Sequence, residues 1–329
     1  MKLKIAFSSI VIFFLLFSSC TTDFDVAAPY KETMVIYGLL NPTEKTQYIR
    51  ISKAFLGEGN SLIMSQERDS INYADILDVK LKRIKNGAVI QTSSLQRDTS
   101  IPKNDGVFHS PYQVLYSTTD SIRADSKYRI EVYNTRTGLT CSAETRIVGD
   151  FSIDHPRVAL SFNFTSANIF IADFAAAPNG WAYNMTIRFH YKDVNLVSHD
   201  TTARYVDWNF GDQAVGTGQS MIEYSMIRPD LYRIIGGSVS EVDTTVIERV
   251  FGSPPIEFIF AAGSEDLYTY QQLILPSTGI VQERPVFTNI ENGIGLITSR
   301  HVKSLFYNFD GNSRSAFDTS RYTRNLHFR

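Results

Sequence analysis

Short segments in which apolar and polar residues alternate recur along the chain and predict half-buried β-strands. The clearest are Gln47–Lys53 and residues 78–84, 128–133 and 183–191. A nearly continuous apolar run, Met34–Leu40, is typical of a more fully buried strand. Successive side chains of a strand point to opposite faces of its sheet, so this alternation favours sheets that bury one face.

Turn signals separate these strands at a spacing that is typical of a β-sandwich. Asn86-Gly87 is a strong hairpin signal, and residues 134–138 form a second predicted turn. We therefore expect an immunoglobulin-like or fibronectin-like sandwich over residues 30–148, although the Cys…Trp…Cys spacing of true immunoglobulin domains is missing. Residues 149–156 mark the predicted boundary with a second domain.

The second domain, residues 149–329, is predicted to be larger and β-rich, with one or two short helices. Residues 220–227 place apolar side chains at helical spacing. A second predicted helix begins at Ser264, a potential N-cap, and carries Glu265 and Asp266 in its first turn, where acidic residues are favourable. The expected fold class is therefore mainly β, in two domains.

The N-terminus has the layout of a secretory signal peptide, which we assign to residues 1–19. A basic start with Lys2 and Lys4 precedes an apolar stretch at residues 5–17, and two serines end it. That stretch is shorter than the roughly 20 apolar residues that a membrane-spanning helix needs. The sequence therefore predicts export of the protein rather than a transmembrane helix.

Cys20 directly follows the two serines, an arrangement that resembles the lipobox of bacterial lipoproteins. Phe17 departs from the aliphatic residue that usually occupies its position. We predict lipidation of Cys20, with residues 20–29 as a tether to the membrane. Asp23 and Asp25 resemble the surface-export signal of Bacteroidetes lipoproteins, so we expect an outer-membrane protein that faces the cell surface.

Composition narrows the classes of partner. The formal charge is −2 for the whole chain and −4 without Lys2 and Lys4, and the sequence contains no basic block. Nucleic-acid binding is therefore not expected. The chain has two cysteines, so lipidation of Cys20 would leave Cys141 without a disulfide partner. We predict that Cys141 is a small buried hydrophobic residue.

Several segments together resemble a family of Bacteroidetes lipoproteins known as domain of unknown function 4249. Asn289, Asn292, Gly293 and Gly295 match its most specific motif, Asn-Ile-x-Asn-Gly-x-Gly. The resemblance implies an envelope accessory, often encoded near a TonB-dependent outer-membrane receptor, and supplies no catalytic residue. We interpret the motif as a structural turn, since Asn-Gly and a nearby Gly supply positive φ angles. The similarity is carried by residues 35–42, 53–57, 128–132, Tyr268, Tyr270 and 288–296.

The sequence contains no motif for catalysis, a metal or a cofactor, so no such site residue and no cofactor is predicted. His-Glu-x-x-His, Gly-x-Ser-x-Gly and phosphate-binding glycine loops are missing from it. Three groups of residues have structural interpretations. We interpret His190, His199, Asp193 and Asp200 as a polar hairpin rather than a metal site, and residues 310–312 as a turn. We interpret Trp181, Tyr183, Trp208 and Phe210 as core residues rather than a sugar or peptide site.

These patterns predict an outer-membrane lipoprotein with a non-enzymatic binding or accessory role, in partnership with a TonB-dependent transporter. Two alternatives stay open. One is a surface glycan or peptide hydrolase whose site is assembled from residues distant in sequence, and the other is a structural or adhesive surface protein. A cleft with paired carboxylates would favour the hydrolase, and a flat surface would favour the adhesive protein.

Overall fold

The structure is a computed structural model that describes residues 32–54, 61–215, 219–274 and 287–329. The predicted signal peptide (1–19), the lipidation site Cys20 and the tether (20–29) lie outside the described residues. None of the helices in the described part is long and apolar enough to cross a membrane.

The described chain is mainly β, as the alternation predicts. Its strands are β1 (Met34–Leu40), β2 (Gln47–Lys53), β3 (Leu77–Lys85), β4 (Ala88–Ser94), β5 (Gln96–Asp98), β6 (Leu115–Thr118), β7 (Lys127–Asn134), β8 (Thr140–Arg146), β9 (Ile153–His155), β10 (Ser161–Phe162), β11 (Ile169–Ala175), β12 (Ala182–Asn195), β13 (Thr201–Ala214), β14 (Met221–Ile227), β15 (Ile247–Gly263) and β16 (Gly293–Phe309). Its helices are α1 (Ser61–Gln66), α2 (Arg68–Ile71), α3 (Asp230–Ser238), α4 (Glu265–Ile274), α5 (Gly311–Thr319) and a 3-10 turn (Arg324–Leu326).

The N-terminal part is a β-sandwich of two sheets, with strand orders β1-β2-β6-β5 and β4-β3-β7-β8. In chain order these correspond to strands A-B-E-D and C′-C-F-G of an immunoglobulin-like sandwich. The inward side chains of both sheets form one core, in which Ile36, Ile49 and Ile130 are fully buried. Cys141 lies in this core, where burial raises the pKa of its thiol to about 11, so the prediction of a buried hydrophobic role is confirmed.

Local turn chemistry sets the register of the predicted hairpin. Asn86 and Gly87 adopt φ angles of 51° and 80°, and Lys85 pairs with Ala88 across the turn. Both central residues have positive φ, as a two-residue hairpin turn between twisted strands requires. The hairpin prediction is confirmed, and its tip lies at one end of the outward face of β3, β7 and β8.

The C-terminal part packs the long sheet β13-β12-β15-β16 against the three-stranded sheet β14-β11-β9. Its core is rich in aromatic rings, among them Phe174, Phe189 and Phe258, which are fully buried. Phe174 and Phe260, with ring centroids 5.1 Å apart, meet in a T-shaped arrangement, which is favourable for aromatic pairs. The short helices α3 and α5 contribute Ile235 and Phe317 to this core.

One helix prediction is wrong. Of residues 220–227, Met221–Ile227 form strand β14, in which Ile222, Tyr224 and Met226 are buried and the residues between them are exposed. The short apolar segment fits both periods, and pairing with β11 in the sheet decides in favour of the strand. The helix at Ser264 is confirmed as α4, whereas α3 and α5 are additional helices.

Residues 310–312 were interpreted as a turn, and the structure corrects this interpretation. Asp310 is the N-cap of helix α5, and its carboxylate accepts the backbone amide of Ser313 at 2.8 Å. A side-chain acceptor at this position satisfies one of the free amides of the first helical turn.

Strand β16 crosses from one core to the other. Its first half, residues 293–299, pairs in parallel with β1, and residues 300–307 pair antiparallel with β15. The strand has 17 residues, which is about 55 Å at roughly 3.3 Å per residue. A segment near the C-terminus therefore completes the N-terminal sandwich at the β1 edge, while the division at residue 149 stays a prediction.

Candidate functional site

A cavity of about 790 Å³ lies on the outward face of β3, β7 and β8. A second cavity of about 350 Å³ continues it toward the C-terminal part, up to the residues that begin α4. The two share Lys127, Glu144, Arg146 and Asn179. We call the first the face cavity, the second the junction cavity and the pair the cleft. Cavities of about 300–1,000 Å³ between domains are the usual places for small ligands.

Charged side chains of both signs cover the wall of the face cavity. Lys82 pairs with Glu131 at 2.6 Å, and Lys127 pairs with Glu144 at 2.5 Å. Arg129 lies between the two carboxylates, 3.5 Å from Glu131 and 3.9 Å from Glu144. Lys82–Glu131 and Lys127–Glu144 are diagonal pairs, whereas Arg129 is directly opposite Glu144 and two residues from Glu131 on the same strand. These groups are partly exposed, so each pair contributes little to stability.

Two directly opposite pairs of side chains on this wall carry like charges, whereas a third pair, Arg129 and Glu144, carries opposite charges. The register places Lys127 opposite Arg146 and Lys82 opposite Arg129. Like charges in direct cross-strand positions are destabilising. Glu144 pairs with Lys127, whereas the Arg146 guanidinium, in the described residues, makes no hydrogen bond or ion pair. Within the described residues, Arg146 is therefore an unpaired cation in the junction cavity.

The backbone of Arg146 is fixed, although its side chain has no partner in the described part of the chain. The hydroxyl of the fully buried Ser299 on β16 donates to the Arg146 carbonyl at 2.7 Å. The same hydroxyl oxygen accepts the amide of Val148 at 3.0 Å. Strand β16 thereby holds the end of β8 and the start of the connection between the two parts.

Trp181 projects into the junction cavity from a rigid backbone. Its amide donates to the carbonyl of Gly263 at 2.8 Å, and its carbonyl accepts the amide of Val215 at 2.9 Å. The neighbouring Asn179 donates from its side chain to the carbonyl of Ile147 at 2.9 Å. The indole is 37% exposed, so an aromatic platform is held open in the cavity. Aromatic rings with exposed faces are favourable contact surfaces at low entropic cost.

Helix α4 forms the opposite, acidic wall of the junction cavity. The hydroxyl of Ser264 accepts the amide of Leu267 at 3.5 Å and contacts the hydroxyl of Thr298 at 2.5 Å. The first residues of the helix are Glu265, which is exposed and makes no hydrogen bond or ion pair with the described residues, and Asp266, which accepts the side-chain amide of Asn289 at 3.2 Å.

Aromatic contacts fix the far end of α4 on the N-terminal sandwich. The rings of Tyr270 and of Tyr37 on β1 meet at 6.2 Å in a T-shaped arrangement. Burial and the hydrogen bond to Tyr270 raise the pKa of Tyr37 to about 12. The acidic wall is therefore held in place on both sides of the junction.

The four motif residues lie where β16 begins. Asn292 adopts a left-handed φ of 58°, and its carbonyl accepts the Cys141 thiol at 3.1 Å. A Cβ on Gly293 would approach the Met34 carbonyl to 2.9 Å, and a Cβ on Gly295 (φ 121°) would approach the Ile36 carbonyl to 2.0 Å. Both glycines allow β16 to lie directly against β1. Asn289 reaches from the same loop to Asp266.

The connection at residues 147–151 is enclosed rather than exposed. The amide of Gly149 donates to the carbonyl of Pro178 at 2.7 Å, and Lys303 donates to the carbonyl of Phe151 at 2.6 Å. His301 is 6% exposed beside this connection, 3.2 Å from the carboxylate of Asp150. Burial lowers the pKa of His301 below its usual value. The junction therefore has many fixed contacts, and the cleft is preformed.

A Ser-Glu-His contact in the described residues does not have the geometry that activates a serine nucleophile for hydrolysis. On the outward face of the long sheet, Glu257 accepts Ser304 at 2.7 Å and lies 2.9 Å from His190 Nε2. A catalytic triad needs the histidine between the serine and the carboxylate, whereas here the carboxylate is central. The described residues contain no group of three or more potential metal ligands.

His190, His199, Asp193 and Asp200, the possible metal ligands of the sequence, do not form one cluster. Asp193 pairs with Arg249 and Arg204, and His190 contacts Glu257. His199 lies in the β12–β13 turn with a φ of 61°. The hydroxyl of Ser198 donates to Asp200 at 2.7 Å in the same turn. Each of the four has a separate structural role.

The aromatic cluster divides between the core and the cleft. Tyr183 is 1% exposed, and Trp208 and Phe210 pack against the same core. Only Trp181 of these four residues lines the cleft. The core interpretation is therefore right for three residues and wrong for Trp181.

The charged residues of the cleft were missed at the sequence level. Lys127 and Arg146 occupy outward positions of strands that alternate regularly, so their exposure could be predicted. Their direct opposition depends on the register of β7 and β8, and their proximity to Trp181 depends on the packing of two cores. The alternation of apolar and polar residues predicts neither the register of β7 and β8 nor the packing of the two cores.

No protein-family model matches the chain, and no curated protein matches it either. Among solved structures, it is similar to the crystal structure of CBD12 from CALX1.2, with 11% sequence identity, coverage of 83% of this chain and 99% of that chain, and a TM-score of 0.17. A similarity at this level carries no argument about fold or function.

Proposed function

We propose that this protein is a lipid-anchored, non-enzymatic binding protein of the outer membrane that assists a TonB-dependent transporter. The observation that carries the binding role is the preformed cleft, with Trp181 held on a rigid backbone and the side chain of Arg146 without a partner among the described residues. A site built for binding needs such preorganisation, since ordering a loop on binding would cost affinity. The signal peptide, Cys20 and the family resemblance support the location and the partner.

The geometry gives less support to the two alternatives. Three carboxylates line the face cavity, and each is paired with a basic side chain: Asp125 with Lys85, Glu131 with Lys82 and Glu144 with Lys127. This pairing does not favour a role as general acid. The cleft is concave, which does not favour a purely adhesive role with a flat contact surface. Activity screens against glycans and peptides remain the direct check on the hydrolase.

The experiment is affinity purification of the lipidated protein from detergent-solubilised native membranes. Intact protein is expected to recover a TonB-dependent receptor, and Cys20→Ser is expected to leave the membrane fraction. Trp181→Ala tests the cleft, and Trp208→Phe is the matched control because Trp208 packs against the core outside the cleft. Recovery of no outer-membrane receptor by the intact protein would contradict the accessory role.

The location is tested on the same cells. Surface protease is expected to degrade the protein on intact cells, as the acidic residues after Cys20 predict. Complete protection on intact cells, with degradation after lysis, would place the protein on the periplasmic side. That result would remove the surface-facing part of the proposal and leave the binding role to be judged by the purification.

A further inference from the structure

The junction cavity has walls of opposite charge. Lys127 and Arg146 lie on the side of β7 and β8, and Glu265 and Asp266 lie on the side of α4. The side chains of Arg146 and Glu265 make no hydrogen bond or ion pair within the described residues, although both residues line the same cavity of about 350 Å³. A ligand with one kind of charge would satisfy one wall and be repelled by the other. The cavity therefore fits a ligand that carries both charges.

The basic wall is unfavourable without an anion. Lys127 and Arg146 are directly opposite in the β7–β8 register, and such a like-charge pair destabilises the sheet. Glu144 pairs with Lys127 and Arg129 but not with Arg146. A carboxylate bound between them would accept charge-assisted hydrogen bonds, and the planar guanidinium of Arg146 suits bidentate contact with a carboxylate.

The remaining surface of the junction cavity supplies contacts for a short chain. Trp181 offers the face of its indole, and the side-chain amide of Asn179 is fixed beside it by the Ile147 carbonyl. An amide next to an aromatic platform suits a backbone of alternating peptide groups and side chains. The volumes of the cleft suit a ligand of a few residues rather than a folded protein.

We infer that the cleft binds a short peptide with free termini, whose carboxylate contacts Arg146 and Lys127 and whose ammonium group contacts Glu265 and Asp266. This inference rests on the proposed binding function and names its ligand class. Trp181 packs against a side chain of the peptide between the two charged ends. The step is binding alone, with no bond made or broken.

The chain contains two tryptophans, so Trp208→Phe leaves Trp181 as the single indole reporter. In that background, the probe is a pool of synthetic tetrapeptides without Trp or Tyr, titrated with free termini and again after amidation, acetylation or both. Calorimetry on the unsubstituted chain repeats the measurement without the Trp208 change. Maltotetraose is titrated as the uncharged sugar of similar length.

We expect the free pool to shift the Trp181 emission and amidation to weaken binding about ten-fold, which corresponds to about one charge-assisted contact. Arg146→Gln is expected to weaken binding of the free pool to the level of the amidated pool and to remove the difference in affinity between these two pools. Glu265→Gln is expected to weaken binding of the free pool to the level of the acetylated pool and to remove the difference in affinity between these two pools. The controls Arg157→Gln and Glu223→Gln change exposed residues outside the cleft and are expected to keep the original affinity.

Three results would overturn the peptide assignment: equal binding of free and doubly capped pools, binding of maltotetraose without binding of the pool, or no change at Trp181 and no heat with any probe. The proposed function is judged separately, because recovery of the receptor by the intact protein and its loss in Trp181→Ala do not depend on the ligand class. Failure of the peptide assignment and failure of the accessory role are therefore distinguishable.

Discussion

The side chain of Asn289 pairs with the backbone of Ile297 as a neighbouring strand would. Its Nδ2 donates to the Ile297 carbonyl at 2.7 Å, and its Oδ1 accepts the Ile297 amide at 3.0 Å. Ile297 is fully buried where β16 passes from one core toward the other, and Asn289 also contacts Asp266 on α4. One side chain thus joins the central strand to the acidic wall of the cleft.

Asn289→Ala is expected to destabilise the protein by about 1–3 kcal/mol, because both backbone groups of Ile297 lose a partner in a part-buried place. The free energy of unfolding in urea measures this change. The exposed Asn325, which donates to Glu241 at 3.3 Å, provides the control. Asn325→Ala is expected to change stability by less than about 0.5 kcal/mol, and an equal effect of the two changes would remove the special role of Asn289.

Gly295→Ala is expected to cost about 2–5 kcal/mol, since a φ of 121° is strained for alanine and its Cβ would overlap the Ile36 carbonyl. Gly211→Ala separates backbone strain from steric overlap. Gly211 has a φ of 83°, but a Cβ added there would have no atom within 4 Å. Gly237→Ala in α3 has neither problem and is expected to stabilise by about 0.5–1 kcal/mol. A Gly295 effect no larger than that at Gly211 would show that the close approach to β1 is unimportant. Thermal and urea unfolding measure all three.

The free energy of unfolding is expected to decrease as the pH is lowered, because His301 is buried. Its folded-state pKa is lowered by burial, while the unfolded value is near 6.5. The unfolded chain therefore binds more protons as the pH drops below about 6.5, and the stability that His301 contributes above this pH is lost as the pH falls through the folded value. Asp150, which attracts a proton to His301, and Lys303, which opposes it, face the ring.

The measurement is the urea midpoint at pH 7.5 and pH 5.5 for the unsubstituted chain and for His301→Gln. The variant is expected to show the smaller loss of stability on acidification. His327→Gln, which changes an exposed histidine, serves as the control and is expected to keep the original pH dependence. A pH dependence that is identical in His301→Gln would contradict the role of the buried imidazole.

Arg249→Met is expected to destabilise the C-terminal part by about 3–5 kcal/mol. Its guanidinium, 2% exposed, pairs with Asp193 at 3.0 Å and donates to the carbonyls of Ser240 and Leu326. Removal leaves the buried Leu326 carbonyl and the part-buried Ser240 carbonyl without this donor, and it leaves Asp193 with Arg204 alone. Arg233→Met breaks an exposed pair with Asp230 and is expected to cost less than about 1 kcal/mol. Hydrogen exchange at the amide of Arg329, which pairs with the Arg249 carbonyl, should increase only in the first variant.

The N-terminal sandwich was accessible from sequence because its signals are local. Alternation places every second side chain of β7 in the core, and Asn86-Gly87 provides the two positive φ angles of a hairpin by itself. Ser264 with its acidic neighbours predicts α4 for the same reason, since N-capping involves residues within one turn. Cys141 is buried as its apolar surroundings indicate.

Other elements depended on contacts that no local pattern contains. Residues 221–227 satisfy both helical and strand periods, and only pairing with β11 selects the strand. The 17 residues of β16 read as one strand, yet it is the positions of β1 and β15 that assign its halves to different cores. The role of Asn289 depends on Ile297, eight residues later along a chain that turns between them.

The sequence by itself determined which positions of this protein are buried in strands, where several turns form, and that its N-terminus has the pattern of a lipoprotein signal. Only the tertiary structure decided that Arg146, Trp181 and Glu265 line one cavity. The physical reason is separation along the chain. Strand periodicity reports which face of a sheet a side chain occupies, whereas the register of β7 with β8 and the packing of two cores determine which distant side chains share that face.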